Sequence, residues 1–289
     1  MRGKTCIITG ATGGIGFETA ARLGALGARL VLIGRNRVKG KVVLSRLQAR
    51  VPGVAVELHY ADLSRHDEIL QLSRALLDTT ERIDVLLNNA GAIFARRETT
   101  GDGLERTFAL NHMGYFRLTA LLRPRLIASA PARIVNVASE AHRGARLNFD
   151  DLQCALGYSG WQAYQRSKLA NILFTRELAR QLQGTGVTAN CLHPGFVATG
   201  FGDNNHGVWG FGIAVAKWLG AIPVERGADT PVYLSSSPDV GGMSGKYFEK
   251  CRERTPDTRA QDGVAAVRLW QESEKLAGLK PPRSKRSRR

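Results

Sequence analysis

The chain has 289 residues, of which 43% are hydrophobic, so it is long and apolar enough for one α/β domain with a sizeable core, and general disorder is excluded. Part of its formal net charge of +16 is concentrated in residues 19–56, with eight basic and no acidic side chains, and in residues 280–289, with six basic and none acidic. Because neither an apolar run of about 18 residues nor an N-terminal secretion signal can be read from the sequence, we expect a soluble, cytoplasmic protein.

Short apolar runs alternate along the chain with longer segments of helical spacing. The predicted strands are residues 5–9, 29–33, 54–60, 83–87, 133–138, 187–192 and 246–248, and the predicted helices are residues 15–26, 38–50, 67–77, 103–127, 161–183 and 224–235. This alternation predicts a doubly wound parallel sheet, a three-layer αβα, Rossmann-like α/β fold, in a single domain over residues 1–279. The basic segment 280–289 is predicted to be a disordered tail.

The first predicted strand ends in a glycine-rich turn, TGATGGIG at residues 9–16. Such a turn lets the backbone approach a pyrophosphate, and the N–H groups at the start of the next helix attract the phosphates. The predicted phosphate-binding residues are Gly10, Thr12, Gly13, Gly14, Ile15 and Gly16. The alternative is a tight turn that holds no ligand.

The second predicted strand is followed by Arg35 and Asn36 rather than by an acid. An acidic residue about 20 positions after the glycines would hold the ribose hydroxyls of NAD, whereas an arginine fork suits the 2′-phosphate of NADP. Lys39 and Lys41 add positive charge nearby. The sequence therefore predicts NADP(H) as the cofactor, with an exposed loop arginine as the alternative.

Further cofactor contacts are predicted at the ends of the third and fourth strands, because ligands of such sheets bind beyond the carboxyl ends of the strands. Asp62 and Leu63 would lie near the adenine, and Asn89, Ala90 and Gly91 leave room for the cofactor backbone. Each of these segments could instead be an ordinary turn at the end of a strand.

Tyr164 and Lys168 lie four residues apart in a predicted helix, so their side chains project from the same face. A lysine charge about 4 Å from a phenol, at an effective dielectric constant near 20, is worth about 4 kcal/mol. That energy would bring the pKa of Tyr164 from about 10 to near neutrality, where a general acid–base works best. The alternative is a chance Tyr–Lys pair on a helix.

Two more polar residues complete the predicted catalytic set. Ser139 follows the fifth predicted strand, where its hydroxyl could bind a substrate carbonyl, and Asn111 lies in a long predicted helix, where it could support a water relay to Lys168. Read singly, Ser139 is an ordinary turn residue and Asn111 an exposed helix residue. Together with the glycine turn, and in this order along the chain, they indicate catalysis of hydride transfer.

As a set, these motifs resemble the short-chain dehydrogenase/reductase family of single-domain enzymes over residues 4–279. They are TGATGGIG at 9–16, NNAG at 88–91, Asn111, Ser139, YQRSK at 164–168 and Pro194-Gly195. Within the family, the chain is most similar to the retinol dehydrogenase-like and WW-domain oxidoreductase-like branch. The similarity lies in NFDDL at 148–152, SKLANILFTRELAR at 167–180, HPGFVAT at 193–199 and the 25-residue spacing from Ser139 to Tyr164.

The resemblance implies a role for each matching residue. Tyr164 would be the acid–base, Lys168 would bind the nicotinamide ribose and lower the pKa of that tyrosine, Ser139 would orient the carbonyl, and Asn111 would complete the relay. The cofactor would also contact Pro194, Gly195, Val197 and Thr199. The family relationship further implies a homodimer or homotetramer, formed through segments 103–127 and 161–183.

The remaining segments bear on substrate and partners. Apolar side chains at Phe201, Trp209, Phe211, Ile213 and Trp218 predict a lid over residues 201–222 and a small hydrophobic carbonyl or alcohol as substrate, with a dimer contact or ordinary core as the alternative. The basic tail could touch anionic surfaces, including a membrane in peripheral association, or it could serve solubility alone.

Other classes of protein fit the sequence less well. An NADP(H)-binding sensor without turnover would not need Tyr164 and Lys168, and a sugar-nucleotide epimerase usually has a longer chain and another glycine spacing. Specific nucleic-acid binding has only the charge in its favour, so no such partner is expected. The four cysteines and six histidines lack the spacing of metal ligands, which predicts reduced thiols and no metal site.

Overall fold

The computed structural model describes residues 1–197 and 222–278, and within them the chain is built around one sheet of eight strands. The strands are β1 (Thr5–Thr9), β2 (Arg29–Gly34), β3 (Val56–Tyr60), β4 (Val85–Asn88), β5 (Ala132–Val137), β6 (Val187–Leu192), β7 (Tyr247–Glu249) and β8 (Arg252–Arg254). Their order is β3-β2-β1-β4-β5-β6-β7-β8, in which β1 to β7 are parallel and β8 pairs antiparallel with β7. The predicted doubly wound sheet is confirmed.

Helices cover both faces of this sheet. They are α1 (Gly14–Ala25), α2 (Arg37–Arg50), α3 (His66–Thr79), α4 (Arg106–Phe108), α5 (Gly114–Ala128), α6 (Gly160–Gln181), α7 (Val224–Gly227), α8 (Asp229–Ser236) and α9 (Gly263–Leu276). A π-helical turn, Ala109–Met113, joins α4 to α5. The helices α1, α2 and α8 pack on one face, and α3, α5, α6 and α9 pack on the other.

The strands form the middle layer because they are apolar on both sides. In β1, Ile7 belongs to the hydrophobic core beneath α3 and α5, whereas Ile8 belongs to the core beneath α1 and α2. Successive side chains of a strand point to opposite faces, so a strand covered on both sides needs an unbroken apolar run. This is why the strands could be predicted from short apolar runs without alternation.

The fold departs from the prediction in the C-terminal third and in segment 103–127. The last predicted strand, 246–248, is observed at Tyr247–Glu249, while β8 and α9 were not predicted. The predicted helix 224–235 is divided into α7 and α8 at Ala228. The predicted helix 103–127 begins at Arg106 and contains the π-helical turn, so it is not a regular helix throughout.

Two predicted features lie outside the described residues, namely the basic tail at 280–289 and, apart from Ile222, the lid at 201–222. Among the described residues, every helix is too short or too polar to cross a membrane. The single-domain boundary at residue 279 stays a prediction.

Candidate active site

The predicted site residues gather where the strand order reverses. β1 lies between β2 and β4, so the chain turns to opposite sides of the sheet after β1 and after β4. A crevice forms at the carboxyl ends of the strands at such a point, and ligands of open α/β sheets bind there. The glycine-rich turn follows β1, and the segment 88–91 follows β4 at the same edge.

The glycine-rich turn is packed too closely for side chains at two of its glycines. A Cβ atom on Gly10 would lie 2.8 Å from the Cα atom of Ala90, and one on Gly16 would lie 2.4 Å from the carbonyl oxygen of Gly10. Gly13 caps α1 without a side-chain hydrogen bond, and the first turn of α1 carries no acid. Among the described residues, α1 thus has neither a side-chain cap nor an acid in its first turn, which fits a phosphate group at its first N–H groups.

Thr12 joins the turn to the end of β2. A Cβ atom on Gly34 would lie 2.2 Å from the Cγ2 atom of Thr12, so a side chain there would force Thr12 to move. Arg35 comes next, with 56% of its side chain exposed, and one of its Nη atoms lies 3.5 Å from an Oδ of Asp62. Asn36 caps α2, since its side-chain oxygen accepts a hydrogen bond from the backbone N–H of Lys39 at 2.9 Å.

Asp62 and Leu63 take different positions at the end of β3. Burial alone would raise the pKa of Asp62, but hydrogen bonds from the hydroxyl and N–H of Ser64 and the charge of Arg35 outweigh it and lower that pKa. Asp62 is therefore an anion at neutral pH. Leu63 is buried in the core between the sheet and α3, so only its backbone is left for contact with a cofactor.

Asn89, Ala90 and Gly91 hold the ends of β1 and β4 together. The backbone N–H groups of Asn89 and Ala90 donate to the hydroxyl of Thr9, at 2.8 and 3.0 Å. The side-chain amide of Asn89 donates to the carbonyl of Thr9 at 2.8 Å. Gly91 opens toward the predicted catalytic residues, because a Cβ atom there would lie 3.4 Å from Nζ of Lys168.

The α6 helix brings Tyr164 and Lys168 to this crevice, as their spacing predicts. Both side chains are buried, and Nζ of Lys168 lies 5.6 Å from the ring centre of Tyr164. The same Nζ donates a hydrogen bond of 3.0 Å to the carbonyl of Val137, at the end of β5. Nζ also lies 5.8 Å from the ring centre of Tyr115 on α5. Lys168 is thus fixed between α5, α6 and β5.

The expected lowering of the pKa of Tyr164 is wrong for the protein alone. Burial raises the pKa of Tyr164 to about 12, although a side-chain hydrogen bond with Ser139 acts in the opposite direction. Burial also lowers the pKa of Lys168 to about 7. The expectation counted the lysine charge but not the loss of hydration, which disfavours the charged form of both side chains.

Ser139 and Asn111 both contact α6, the helix that carries Tyr164 and Lys168. Ser139 follows β5, starts the short 3-10 helix Glu140–His142, and makes the side-chain hydrogen bond with Tyr164. The amide of Asn111 lies in the π-helical turn, where it accepts from the N–H of Ala92 and donates to its carbonyl, both at 2.9 Å. It also donates to the hydroxyl of Ser167 at 2.9 Å.

The segment after β6, residues 194–197, lies beside the glycine-rich turn. Gly195 has a φ of +87°, a left-handed conformation that favours glycine. A Cβ atom on Gly227, in α7, would lie 2.7 Å from Val197 and 3.3 Å from Ile15 at the start of α1, so Val197 lies beside the phosphate-binding turn. Pro194 precedes this turn. The predicted contact Thr199 lies outside the described residues.

Three residues that hold the site were given no role in the sequence analysis, although Thr9 and Ser167 lie within its motifs. The carbonyl of Val137 anchors Lys168, the hydroxyl of Thr9 anchors the segment after β4, and Ser167 joins Asn111 to α6. A backbone carbonyl carries no signal in the residue letters. Thr9 and Ser167 could have been noticed as polar residues in otherwise buried positions of a strand and a helix.

Comparison with known proteins gives the family of this chain. The profile of the short chain dehydrogenase family matches residues 4–206. Retinol dehydrogenase 14 of Homo sapiens is 41% identical in an alignment of 299 positions, gaps included, which covers 96% of this chain and 88% of that protein. Dehydrogenase/reductase SDR family member 13 of Bos taurus is 40% identical over 286 residues, which cover 97% of this chain and 75% of that protein.

Solved structures give the same answer. A putative uncharacterized protein from Mycobacterium paratuberculosis is 32% identical, with a TM-score of 0.78 over 97% of this chain and 96% of that chain. A short-chain dehydrogenase from Sphingobium yanoikuyae, solved in complex with NADPH, is 28% identical, with a TM-score of 0.64 over 79% of this chain and 82% of that chain. The chain therefore belongs to the short-chain dehydrogenase family of nicotinamide-dependent oxidoreductases, in its retinol dehydrogenase-like branch.

Proposed function

We propose that this protein is an NADP(H)-dependent oxidoreductase that transfers a hydride between the nicotinamide and a hydrophobic aldehyde, ketone or alcohol. The observation that carries the proposal is the meeting of Tyr164 and Lys168 with Ser139 at the end of the sheet where the glycine-rich turn lies. A phenol held by a serine hydroxyl beside a buried lysine supports a role in proton transfer.

Each of the four predicted catalytic residues has a separate role in carbonyl reduction. NADPH, when bound, supplies the hydride. Tyr164 gives its phenolic proton to the carbonyl oxygen, and Ser139 donates a hydrogen bond to that same oxygen. Since burial holds the pKa of Tyr164 at about 12, the phenol keeps its proton at neutral pH, which is the form that reduction requires. Lys168 would bind the nicotinamide ribose, and Asn111 would support the return of a proton to Tyr164.

Arg35 supports NADP(H) over NAD(H). Its guanidinium is more than half exposed at the end of β2, where the ribose of a bound dinucleotide would lie. The carboxylate of Asp62 keeps the guanidinium over that edge. The Sphingobium relative, solved with NADPH, supports the same choice. The residues of the glycine-rich turn, 88–91 and 194–197 would complete the cofactor site.

Two exposed aromatic side chains, one of them beside Tyr164, support a hydrophobic substrate. Trp161 is 46% exposed and its ring centre lies 6.0 Å from that of Tyr164, while Phe196 is 49% exposed just after β6. Apolar rings next to a proton-transfer group favour a substrate with an apolar body and one polar end. The names of the retinol dehydrogenase relatives are consistent with such a substrate.

The test is NADPH oxidation with a panel of aliphatic, aromatic and retinoid aldehydes and ketones. We expect turnover by the wild-type protein and a loss of about 10²-fold or more in Tyr164→Phe, with NADPH binding retained. Tyr233→Phe, in α8 and outside the site, is the matched control and should keep wild-type turnover.

Other results would count against the proposal. Tight NADPH binding without turnover of any compound would instead indicate an NADP(H)-binding sensor or scaffold. Full activity in Tyr164→Phe would remove the assigned acid–base. The homodimer or homotetramer implied by the family stays a prediction, which light scattering on the same preparation would check.

A further inference from the structure

A buried histidine directly after β6 binds the segment that leans over the phosphate-binding turn. Nδ1 of His193 accepts a hydrogen bond of 3.1 Å from the backbone N–H of Gly195. The ring is 7% exposed, so water does not compete strongly for this bond. The bond closes the turn in which Gly195 has its left-handed conformation.

The other ring nitrogen faces two carboxylates. Nε2 of His193 lies 3.4 Å from an Oε of Glu140 and 3.6 Å from an Oε of Glu249 on β7. The ring also stacks on Tyr247, with centres 6.1 Å apart and planes at 17°. The hydroxyl of Tyr247 donates to Glu140 at 3.2 Å. Because Nδ1 accepts from an N–H, the proton of the neutral ring belongs on Nε2, where it faces the carboxylates.

Burial keeps the ring of His193 neutral at neutral pH, against the effect of the nearby carboxylates. Burial lowers the pKa of His193, and the nearby Glu140 and Glu249 offset this only in part. Arg143, which pairs with Glu140, acts with burial. Glu249 in turn meets other cations in an exposed cluster, Lys250 at 3.7 Å and Arg254 at 3.6 Å. His142 lies edge-on to the ring of Tyr247, with ring centres 5.2 Å apart.

The turn held by His193 bears on the phosphate-binding end of the site. Phe196 accepts a backbone hydrogen bond of 2.7 Å from Ile222, and Val197 forms a parallel bridge with the same residue. Val197 then lies between α7 and the start of α1, as described above. A rotation at Gly195 would therefore move Val197 away from Ile15 and the phosphate-binding turn.

We infer that His193 is a positioning residue for the cofactor site: its Nδ1 fixes the turn at Gly195, and its Nε2 faces Glu140, the residue next to Ser139. This inference rests on the proposed function, because the segment 194–197 is taken as part of the NADP(H) site. One side chain thereby joins the segment after β6, which would hold the cofactor, to the segment after β5, which would hold the substrate oxygen.

The arrangement has a consequence for pH. Protonation of His193 places a hydrogen on Nδ1, which then no longer accepts from the N–H of Gly195. NADPH affinity should therefore fall as the pH falls through the pKa of His193. A variant that keeps an acceptor at this place but cannot be protonated should lose this part of the pH dependence.

Two substitutions distinguish the role of Nδ1 of His193 from that of Nε2. In His193→Asn, the amide oxygen is as many bonds from the backbone as Nδ1 and replaces it as acceptor for Gly195. In His193→Gln, the amide lies at the place of Nε2, and the N–H of Gly195 loses its acceptor. An unsatisfied buried donor weakens the structure that contains it, and we expect NADPH to bind His193→Gln about tenfold more weakly at pH 7.5.

The experiment measures the Kd of NADPH by fluorescence between pH 5.5 and 8. His193→Asn should bind within about twofold of wild type at pH 7.5, with a flatter pH profile, and His193→Gln should raise the KM for NADPH more than it lowers kcat. His59→Asn, on β3, is the histidine control, and thermal unfolding checks that each variant is folded. Equal weakening in both His193 variants, or wild-type affinity in both, would overturn the inference.

The affinity readout keeps this inference separate from the proposed reaction. A wild-type protein that binds NADPH but reduces no carbonyl would contradict the proposed function, and the Kd values would still decide the role of His193. A wild-type protein that does not bind NADPH would overturn both.

Discussion

Replacement of Lys168 by methionine should inactivate the enzyme and stabilise the fold. The side chain is 3% exposed, and burial lowers its pKa from 10.5 to about 7. Methionine is of similar length and carries no charge, so it removes the cost of a buried ammonium group. The variant also loses the hydrogen bond from Nζ to the carbonyl of Val137.

The size of the effect follows from the two pKa values. They differ by about 3.5, and at about 1.36 kcal/mol for each tenfold change in proton affinity the full cost is roughly 5 kcal/mol. The carbonyl of Val137 then keeps the longer hydrogen bond from the amide of Asn171, at 3.4 Å. The loss of the shorter bond costs about 1–3 kcal/mol, so Lys168→Met should be more stable by about 2–4 kcal/mol at pH 6.

The sign of the pH dependence is fixed by proton binding. Between about pH 7 and pH 10.5, the unfolded chain keeps a proton on Lys168 and the folded chain does not, so the stability contributed by this group rises with pH. Below about pH 7, both states are protonated and the full cost is present. The advantage of the variant should thus shrink by about 1.4 kcal/mol per pH unit above pH 7.

Urea unfolding of the cofactor-free protein at pH 6, 7, 8 and 9 measures the free energy of unfolding directly. Lys246→Met is the matched control, since Lys246 is 46% exposed in an ion pair with Glu253, and its effect should be small and nearly independent of pH in this range. A Lys168→Met protein that is less stable than wild type at pH 6, or an advantage that does not change between pH 7 and pH 9, would refute the reasoning.

Three further predictions concern the cofactor, the phosphate-binding turn and the substrate oxygen. Arg35→Ala should lower kcat/KM for NADPH roughly tenfold or more and leave that for NADH nearly unchanged, whereas Arg46→Ala, on α2, should leave the ratio of the two at its wild-type value. Gly16→Ala should lower the Tm by roughly 2–12 °C, because overpacking costs about 1–3 kcal/mol and each kcal/mol is about 2–4 °C. Gly13→Ala, where a Cβ atom would meet no atom within 4 Å, should leave the Tm nearly unchanged. Ser139→Ala should lower kcat by about tenfold or more at an unchanged Kd for NADPH, measured by stopped-flow and fluorescence.

The first two thirds of the fold could be predicted because each element carries its own signal. Residues 5–9 and 187–192 were predicted as strands with the bounds that are observed for β1 and β6. These runs are buried on both faces, so the pattern of apolar residues alone determines them. The i, i+4 spacing of Tyr164 and Lys168 likewise fixed their common direction before any packing was known.

The elements that were missed depend on contacts that the sequence does not display. The turn between β7 and β8 places Lys250 and Cys251 in left-handed conformations without glycine, so no turn signal marks it. The α9 helix exposes Val264 and packs on the domain through Trp270, whose ring centre lies 4.9 Å from that of Phe116. The predicted lowering of the pKa of Tyr164 was wrong for the same reason, because the loss of hydration depends on the residues that surround the ring.

The position of Lys168 rests on polar side chains inside otherwise apolar strands. The amide of Asn88 on β4 donates to the amide oxygen of Asn136 on β5 at 2.8 Å, and the amide of Asn136 donates to the hydroxyl of Thr175 on α6 at 2.9 Å. All three residues are fully buried. The Oδ1 atom of Asn88 is buried without a hydrogen-bond partner among the described residues, so the bond from Asn136 to Thr175 is the part of this network that bears on α6. A shift of α6 along β5 would leave the amide of Asn136 and the hydroxyl of Thr175 desolvated without this bond, which favours the register that places Lys168 against β5.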